Sequence, residues 1–218
     1  MNESIPARFR ITYAKGPAMR FTGHLDLQRT WERTFRRAGL PLTHSQGYNP
    51  RPKLQLSPAL PLGCTSECEM IDIWIDSPLS TDEVLVKTQE AAPPGIKVWS
   101  VEKPPPDDPA LQNQVTSVEY RISLPEDVSR AELMTAIERL LEEQTIPRRR
   151  RGKTYDLRPL VERLGLSSDP TAVRPILEII LASREGATGR PEEVLLELGL
   201  DPADCLIHRI RMLTSSQG

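Results

Sequence analysis

The sequence predicts an α+β protein built from two tandem ferredoxin-like modules, each with the order β-α-β-β-α-β, an antiparallel sheet and both helices on one face. Short runs of alternating apolar residues are typical of half-buried strands, and one segment near the N-terminus has clear helical periodicity. The order of elements repeats on either side of a proline-rich stretch. The predicted modules are residues 1–103 and 115–218, joined by a linker at 104–114.

The most clearly predicted element is the helix that follows Thr22. Leu27, Trp31 and Phe35 recur at helical spacing, so they share one face that must be buried. Thr22 is the predicted N-cap, and Gly39 is predicted to end the helix at the C′ position, where glycine is favoured. The opposite face of this helix is therefore exposed.

The other elements follow from shorter signals, namely alternation for strands, a serine or threonine cap for helices, and proline or glycine at the boundaries. In the first module the sequence predicts strands at 8–13, 40–44, 53–62, 69–76 and 95–101, and a second helix from 80 or 81 to about 92. In the second module it predicts strands at 118–124, 154–161, 175–183 and 206–213, and helices at 130–144 and 190–198. The stretch KPPPDDPALQNQ at 103–114 is polar and proline-rich, and no packed element is expected there.

Composition excludes several classes of protein. With 38% hydrophobic and 27% charged residues the chain is typical of soluble globular proteins, and it lacks the eighteen or so continuous apolar residues of a membrane helix. The N-terminal run MNESIPARFRITYAKG has no apolar core of a signal peptide, so a cytoplasmic location without a membrane partner is predicted. Three cysteines, an odd number without a regular framework, predict reduced thiols.

Basic residues indicate a surface for an anionic partner. The net charge of −2 conceals a basic region at 8–53, an acid-rich region at 67–102 and a second basic cluster at 148–153. Arginine and lysine would contact RNA phosphates, an exposed tyrosine would stack on a base, and amide side chains would read base edges. The alternative is that these are solvated faces and turns without a ligand. The predicted RNA-binding residues are Arg29, Arg33, Arg36, Arg37, Gln46, Tyr48, Asn49, Arg51, Lys53, Arg149, Arg150, Arg151 and Lys153.

Two histidines in the basic region suggest an enzymatic alternative. His24 and His44 would act as base and acid in metal-independent RNA cleavage, with Asp26 orienting one imidazole. The competing interpretation is that His24 only satisfies local backbone groups at a helix start.

The cysteines do not complete a metal motif. Cys64 and Cys68 have the spacing that begins a radical SAM cluster motif, but Ile71 occupies the position of the third cysteine. These two thiols and the two histidines could instead hold zinc. The competing interpretation is that the thiols are small, half-buried residues without a ligand. Neither a metal nor a cofactor is predicted.

The run MRFTGHLDLQRTWERTFRRAGLPLTHSQGYNPRPKLQLSPALPLGCTSECEMIDI, with RRRRGKTYDLRPLV and GRPEEVLLELGL later, closely resembles the bacterial radical-SAM-linked protein family, a domain of unknown function. The resemblance covers nearly the whole chain. It implies a stand-alone or fused partner of a B12-binding-domain radical SAM protein, in a genomic setting with a ribonuclease of the E/G type and ribosomal proteins. It implies no catalytic residue.

The sequence thus predicts an RNA-binding or adaptor domain that works with a radical SAM enzyme in RNA modification or processing. A metal-independent endoribonuclease and a purely protein–protein scaffold are the alternatives.

Overall fold

The computed structural model describes residues 6–150, 152–169 and 173–214. The chain divides into two compact units, Met1–Gln114 and Val115–Gly218. Each unit combines helices with antiparallel strand pairs, which confirms the predicted α+β class. Within the described residues no helix is long and apolar enough to cross a membrane.

The first unit has the element order β-α-β-β-α-β followed by one short helix. Its elements are β1 (Ala7–Lys15), α1 (His24–Arg37), β2 (Leu54–Leu56), β3 (Thr65–Ile75), α2 (Thr81–Ala91), β4 (Ile96–Glu102) and α3 (Leu111–Gln114). The strands pair in the order β4-β1-β3-β2, and every pair is antiparallel. In this register Phe9 lies opposite Ile73 and Ile11 opposite Ile71, so one face of the sheet is apolar.

Helix α1 covers that apolar face as its periodicity predicts. Leu27, Trp31 and Phe35 are buried, and Trp31 is only 1% exposed. The Trp31 ring stacks on Phe35 with centroids 5.1 Å apart and meets Tyr13 of β1 edge-on at 4.7 Å. These rings join the β1 and β3 side chains in one continuous core.

The two ends of α1 differ in how well the sequence predicts them. Thr22 as N-cap is wrong, because Gly23 occupies that position without a side-chain cap and the Thr22 hydroxyl lies 3.7 Å from the Met19 sulfur. The stop at Gly39 is confirmed. Gly39 has a positive φ of 63°, and the N–H of Leu40 donates to the carbonyl of Phe35 at 3.1 Å, which is the bond of a Schellman motif.

The expectation that residues 103–114 form no packed element is wrong. This segment crosses the sheet face opposite α1, where Asp72 is fully buried between Arg8 and Arg10. Asp108 continues the network, since its carbonyl accepts from Arg8 at 2.7 Å and its carboxylate pairs with Arg10 at 3.1 Å. Leu111 of α3 is fully buried. Ion pairs and one apolar anchor hold a proline-rich segment that has little regular structure of its own.

The second unit follows the same order with additional elements. It contains β5 (Val115–Ser123), α4 (Arg130–Glu142), β6 (Pro147–Arg150), β7 (Lys153–Asp156), β8 (Val161–Leu166), β9 (Ile176–Arg184), β10 (Ala187–Thr188), α5 (Pro191–Glu197) and β11 (Leu206–Thr214). Its strands pair in the order β8-β9-β5-β11, again antiparallel, and β10 also pairs with β9. The β6–β7 pair is separate. Because the second unit contains these insertions, the ferredoxin-like repeat stays an interpretation of the shared strand order.

Three predicted strands differ from the structure. The predicted strand at 154–161 is two strands separated by a 3-10 turn, because the Asp156 carboxylate accepts from the N–H groups of Ile146 at 2.7 Å and Arg158 at 3.0 Å and so ends β7. The strand predicted at 40–44 is reduced to two isolated bridges, and the one at 53–62 is reduced to β2. Prolines within or beside these segments remove the N–H donors of longer ladders.

Candidate nucleic-acid interface

The loop between α1 and β2 forms a small hairpin, residues 43–53, here called the first hairpin. His44 and Pro52 form an antiparallel bridge at its neck. The N–H of Ser45 donates to the carbonyl of Arg51 at 2.8 Å, and the N–H of Arg51 donates to the Ser45 hydroxyl at 3.1 Å. Backbone bonds therefore shape a segment that lacks buried side chains of its own.

The tip of the first hairpin presents side chains to solvent. Gln46, Tyr48, Asn49 and Arg51 are all exposed, and the Tyr48 side chain is 101% exposed, so its ring packs against nothing in the protein. Gly47 has a φ of 145°, a conformation that other residues rarely adopt, and it turns the chain at the tip. The arrangement places an aromatic face, two amides and a guanidinium on one short turn.

The base of the first hairpin is fixed to β3. The N–H of Thr43 donates to the carbonyl of Trp74 at 2.8 Å, and the Lys53 ammonium lies 4.4 Å from the centre of the Trp74 ring. The Arg8 guanidinium approaches the same ring at 5.5 Å. A cation held over an aromatic face keeps its charge available to solvent, and Lys53 is exposed.

The arginines predicted on α1 separate into different environments. All four are exposed, and Arg29, Arg33 and Arg36 follow one stripe at helical spacing. Arg29 pairs with Asp26 at 3.0 Å, but both side chains are about two-thirds exposed, so the pair contributes little stability. Arg37 donates to the carbonyl of Ala91 at the end of α2. Arg33 and Arg36 make no ion pair among the described residues, and they are the two best placed for a ligand.

The two predicted catalytic histidines lie in different elements. His24 is the first residue of α1, whereas His44 lies at the neck of the first hairpin, seven residues after that helix ends. A 14-residue helix is about 20 Å long. Burial lowers the pKa of His24, against an opposing effect of Glu69, while His44 is exposed. Asp26 contacts Arg29. The pairing of the two imidazoles in catalysis therefore stays a hypothesis that a cleavage assay tests.

The cysteines are free thiols. Cys64 and Cys205 are buried, and Cys68 is half-buried with its sulfur 3.6 Å from the Ser66 hydroxyl. Burial raises the pKa of Cys205 to about 11, which makes it a poor nucleophile. Within the part of the chain that the structure describes, no three His, Cys, Asp or Glu side chains are grouped as metal ligands.

The second basic cluster forms a hairpin as well. Strands β6 and β7, residues 147–156 and here called the second hairpin, occupy the position between α4 and β8 that the first hairpin occupies between α1 and β2. Arg150 lies opposite Lys153, and Gly152 turns the chain with a φ of 79°. Arg149 is exposed and makes no ion pair among the described residues. Arg151 lies outside the described residues.

Two contacts seat the second hairpin on α5, and sequence reasoning did not identify them. The Tyr155 hydroxyl donates to the Glu193 carboxylate, and Arg148 forms an ion pair with Glu197. Burial and then the Glu193 carboxylate raise the pKa of Tyr155 to about 12, so the phenol stays a neutral donor. The sequence shows only that a tyrosine lies beside a run of arginines. No neighbouring residue indicates that this tyrosine contacts a helix some forty residues later.

Several solved structures show low sequence identity and low structural similarity to the chain. One is a chain of an H/ACA RNP bound to a substrate RNA containing 2′-deoxyuridine, with 10% identity and a TM-score of 0.45, over 94% of this chain and 47% of that one. Another belongs to a Cbf5-Nop10-Gar1 complex, with 10% identity and a TM-score of 0.48, over 94% and 48%. An unknown protein from Galdieria sulphuraria gives 9% identity and a TM-score of 0.27, over 95% and 100%. These TM-scores carry no argument about function.

The chain spans about half the length of the first two of these proteins. No curated protein matches the sequence. Residues 8–191 match a family described as "uncharacterized protein conserved in bacteria", DUF2344, a description that does not mention radical SAM proteins. Because the match covers most of its length, the chain belongs to this family of uncharacterized bacterial proteins.

Proposed function

We propose that this chain is a non-enzymatic RNA-binding domain that recognises unpaired RNA through its two hairpins. The observation that carries the proposal is the Tyr48 ring, which is fully exposed at the tip of the first hairpin. A large aromatic side chain gains nothing for folding at that position, because it removes no surface from water. It gains free energy only when another flat group, such as a base, stacks on it.

The groups around Tyr48 suit the same ligand. Arg51 and Lys53 are exposed cations on one side of the hairpin, and phosphates on either side of a stacked base would lie within their reach. Gln46 and Asn49 carry both donors and acceptors, which suit the edges of unpaired bases. The second hairpin, with Arg149 exposed, repeats the basic character at the corresponding place in the second unit.

The direct test is the salt dependence of RNA binding. Each phosphate contact with single-stranded RNA contributes about −0.7 to the slope of log K against log salt. If four of the exposed cations contact phosphates, fluorescence anisotropy with a labelled unstructured oligoribonucleotide should give a slope of about −3. Arg139 on α4 is exposed and lies outside both hairpins, so Arg139→Ala is a matched control that should leave the slope unchanged. Binding that is absent or independent of salt contradicts the proposal.

RNA cleavage by His24, the enzymatic alternative, is tested separately. The half-buried imidazole, with its pKa lowered by burial, is largely neutral at pH 7. We expect labelled RNA incubated with the wild type and with His24→Ala to show the same negligible cleavage, because the two histidines lie in different elements. Cleavage that His24→Ala abolishes would support the enzyme and contradict a purely binding role.

We propose further that the domain docks on a radical SAM protein and acts as its adaptor. The sequence resemblance motivates the partner, and a group of exposed apolar side chains offers the surface. Phe21, Leu25 and Leu62 are each more than 60% exposed. They are neighbours, because the Phe21 ring lies over Gly63 and Leu62 lies over Gly23 at the start of α1. An exposed apolar group of this kind is typical of a protein contact.

Co-purification tests the adaptor proposal. A radical SAM protein of the native host should co-purify with the wild type and be lost with Leu62→Asp. Val86→Asp is the matched control, since Val86 is an exposed apolar residue on α2 away from this group. Equal recovery with both variants, or none with the wild type, contradicts the proposal.

A further inference from the structure

The second unit contains a cavity of about 790 Å³ beside the second hairpin. Its walls come from three separate segments: the hairpin itself, the 3-10 turn at Arg158–Leu160, and the chain that leads into α5. The volume is within the range of pockets that enclose a small ligand. Pro159 and Leu160 give it an apolar part.

Three cations line this cavity. Arg150 and Lys153 face each other across the hairpin register, and Arg190 reaches the cavity from the residue before α5. None of the three forms an ion pair among the described residues. By contrast, the neighbouring Arg148 is neutralised by Glu197. Three cations without an ion pair therefore line the cavity, while the unpaired Arg149 lies on the other face of the hairpin.

The carboxylates near the cavity are engaged elsewhere. Asp156 accepts from the N–H groups of Ile146 and Arg158, and Glu193 accepts from the Tyr155 hydroxyl. Burial raises the pKa of Glu192, and the charges of Arg190 and Arg150 oppose that shift. Asp156 keeps its charge when it accepts these bonds, so the cavity lining carries three cations and one carboxylate and is positive on balance.

We propose that this cavity binds the phosphomonoester of a nucleotide, with Arg150, Lys153 and Arg190 as its phosphate ligands. The proposal rests on the RNA-binding function above and specifies one of its sites. A terminal phosphate carries between −1.5 and −2 at pH 7, whereas an internal phosphodiester carries −1. Three convergent cations gain most from the more highly charged group, and a pocket admits a chain end more readily than the middle of a strand.

The phosphomonoester has two sources, the phosphorylated end of an RNA and a free nucleotide, and the experiment separates them. Binding is measured to one oligoribonucleotide sequence with a 5′-phosphate and with a 5′-hydroxyl, and AMP is titrated as a competitor. We expect the 5′-phosphate to improve affinity about tenfold, the effect of one charge-assisted hydrogen bond or more. AMP should displace the phosphorylated oligonucleotide if free nucleotides also enter, and fail to displace it if the RNA end is the ligand.

Two variants identify the site. Lys153→Gln combined with Arg190→Gln should abolish the preference for the 5′-phosphate, so that the 5′-phosphate and 5′-hydroxyl RNAs bind the double variant with equal affinity. Arg149→Gln is the matched control. Arg149 belongs to the same hairpin but alternates away from Arg150 and Lys153, so this change should preserve the preference. Thermal melting of all three proteins shows whether each variant is folded.

The outcomes separate this inference from the proposed function. Salt-dependent binding of both RNAs with equal affinity overturns the phosphate pocket and leaves RNA binding standing. Loss of the preference in Arg149→Gln to the same extent as in the double variant also overturns it, because the effect would then be one of net charge. If neither RNA binds but AMP does, and the double variant loses AMP, the pocket is supported and the proposed function is not.

Discussion

The two hairpins occupy the same place in their units but are built in different ways. The first is closed by backbone hydrogen bonds at its neck, and its tip contacts nothing else. The second is held on α5 through Tyr155 and Arg148, and its Arg150 and Lys153 line a cavity. A detached tip suits adaptable stacking on unpaired bases, whereas a seated hairpin suits one group in a fixed position. The tyrosines differ most: Tyr48 is fully exposed at the tip of the first hairpin, and Tyr155 holds the second hairpin on α5.

The largest effect should come from the scaffold beneath the first hairpin. Trp31→Ala should lower the free energy of unfolding by about 3–5 kcal/mol, because the buried ring leaves a cavity between Phe35 and Tyr13. Urea denaturation measures the change, and RNA affinity per folded molecule should not change. Trp99→Ala is the control, since Trp99 is 45% exposed and should cost far less. An equal loss in both variants would mean that α1 does not form the core described here.

The second prediction compares the two tyrosines directly. Tyr48→Ala should weaken RNA binding by about 1–3 kcal/mol without affecting stability, while Tyr48→Phe should bind normally because the ring is kept. Tyr155→Phe keeps its ring too, but it should loosen the second hairpin because the bond to Glu193 is lost. Anisotropy titrations and melting curves on the three variants give both quantities. Normal RNA binding by Tyr48→Ala would show that the Tyr48 ring does not stack on a base, and the proposed difference between the two tyrosines would be wrong.

A smaller effect is expected from Arg51, one of the two cations of the first hairpin. Arg51→Ala should weaken RNA binding by about 1 kcal/mol and reduce the slope of log K against log salt by about 0.7, as the loss of one phosphate contact with single-stranded RNA does. Its backbone bonds to Ser45 remain in the variant, so the hairpin should keep its shape. The measurement is the titration repeated at several salt concentrations. If Arg51→Ala unfolds the protein while affinity per folded molecule is unchanged, the loop is structural.

Sequence reasoning succeeded where one local pattern determines the outcome. The spacing of Leu27, Trp31 and Phe35 predicts the buried face of α1, and Gly39 predicts its end, because both depend on residues within one or two helical turns. Most helices and strands were predicted for the same reason, whereas the β6–β7 pair and β10 of the second unit were not. The loop that forms the first hairpin could also be predicted from the sequence, because Gly47 and its neighbouring prolines exclude a helix or a central strand.

The features that the sequence did not reveal depend on contacts between distant residues. Residues 103–114 look like a linker, and only the partners Arg8, Arg10 and Asp72, some thirty to a hundred positions away, show that Asp108 is anchored. No local signal indicates this arrangement.

The last prediction concerns the hydrogen bond that holds the second hairpin on α5 and the pH at which it is lost. The ordinary pKa of a tyrosine is 10.0, and burial together with the Glu193 acceptor raises that of Tyr155 to about 12. Between these two values the folded protein keeps a proton that the unfolded chain has released. The free energy of unfolding therefore falls as pH rises through this window, and the contribution of Tyr155 is fully present below pH 10.

Urea denaturation at a series of pH values from about 9 to about 11 should show this loss in the wild type and a shallower dependence in Tyr155→Phe. Tyr48→Phe is the matched control, because it removes a phenol that is fully exposed, and its pH dependence should follow the wild type. The difference in slope corresponds to one proton at most. If Tyr155→Phe and Tyr48→Phe behave alike, the Tyr155 hydroxyl is not held by Glu193, and only the Arg148–Glu197 ion pair holds the second hairpin on α5.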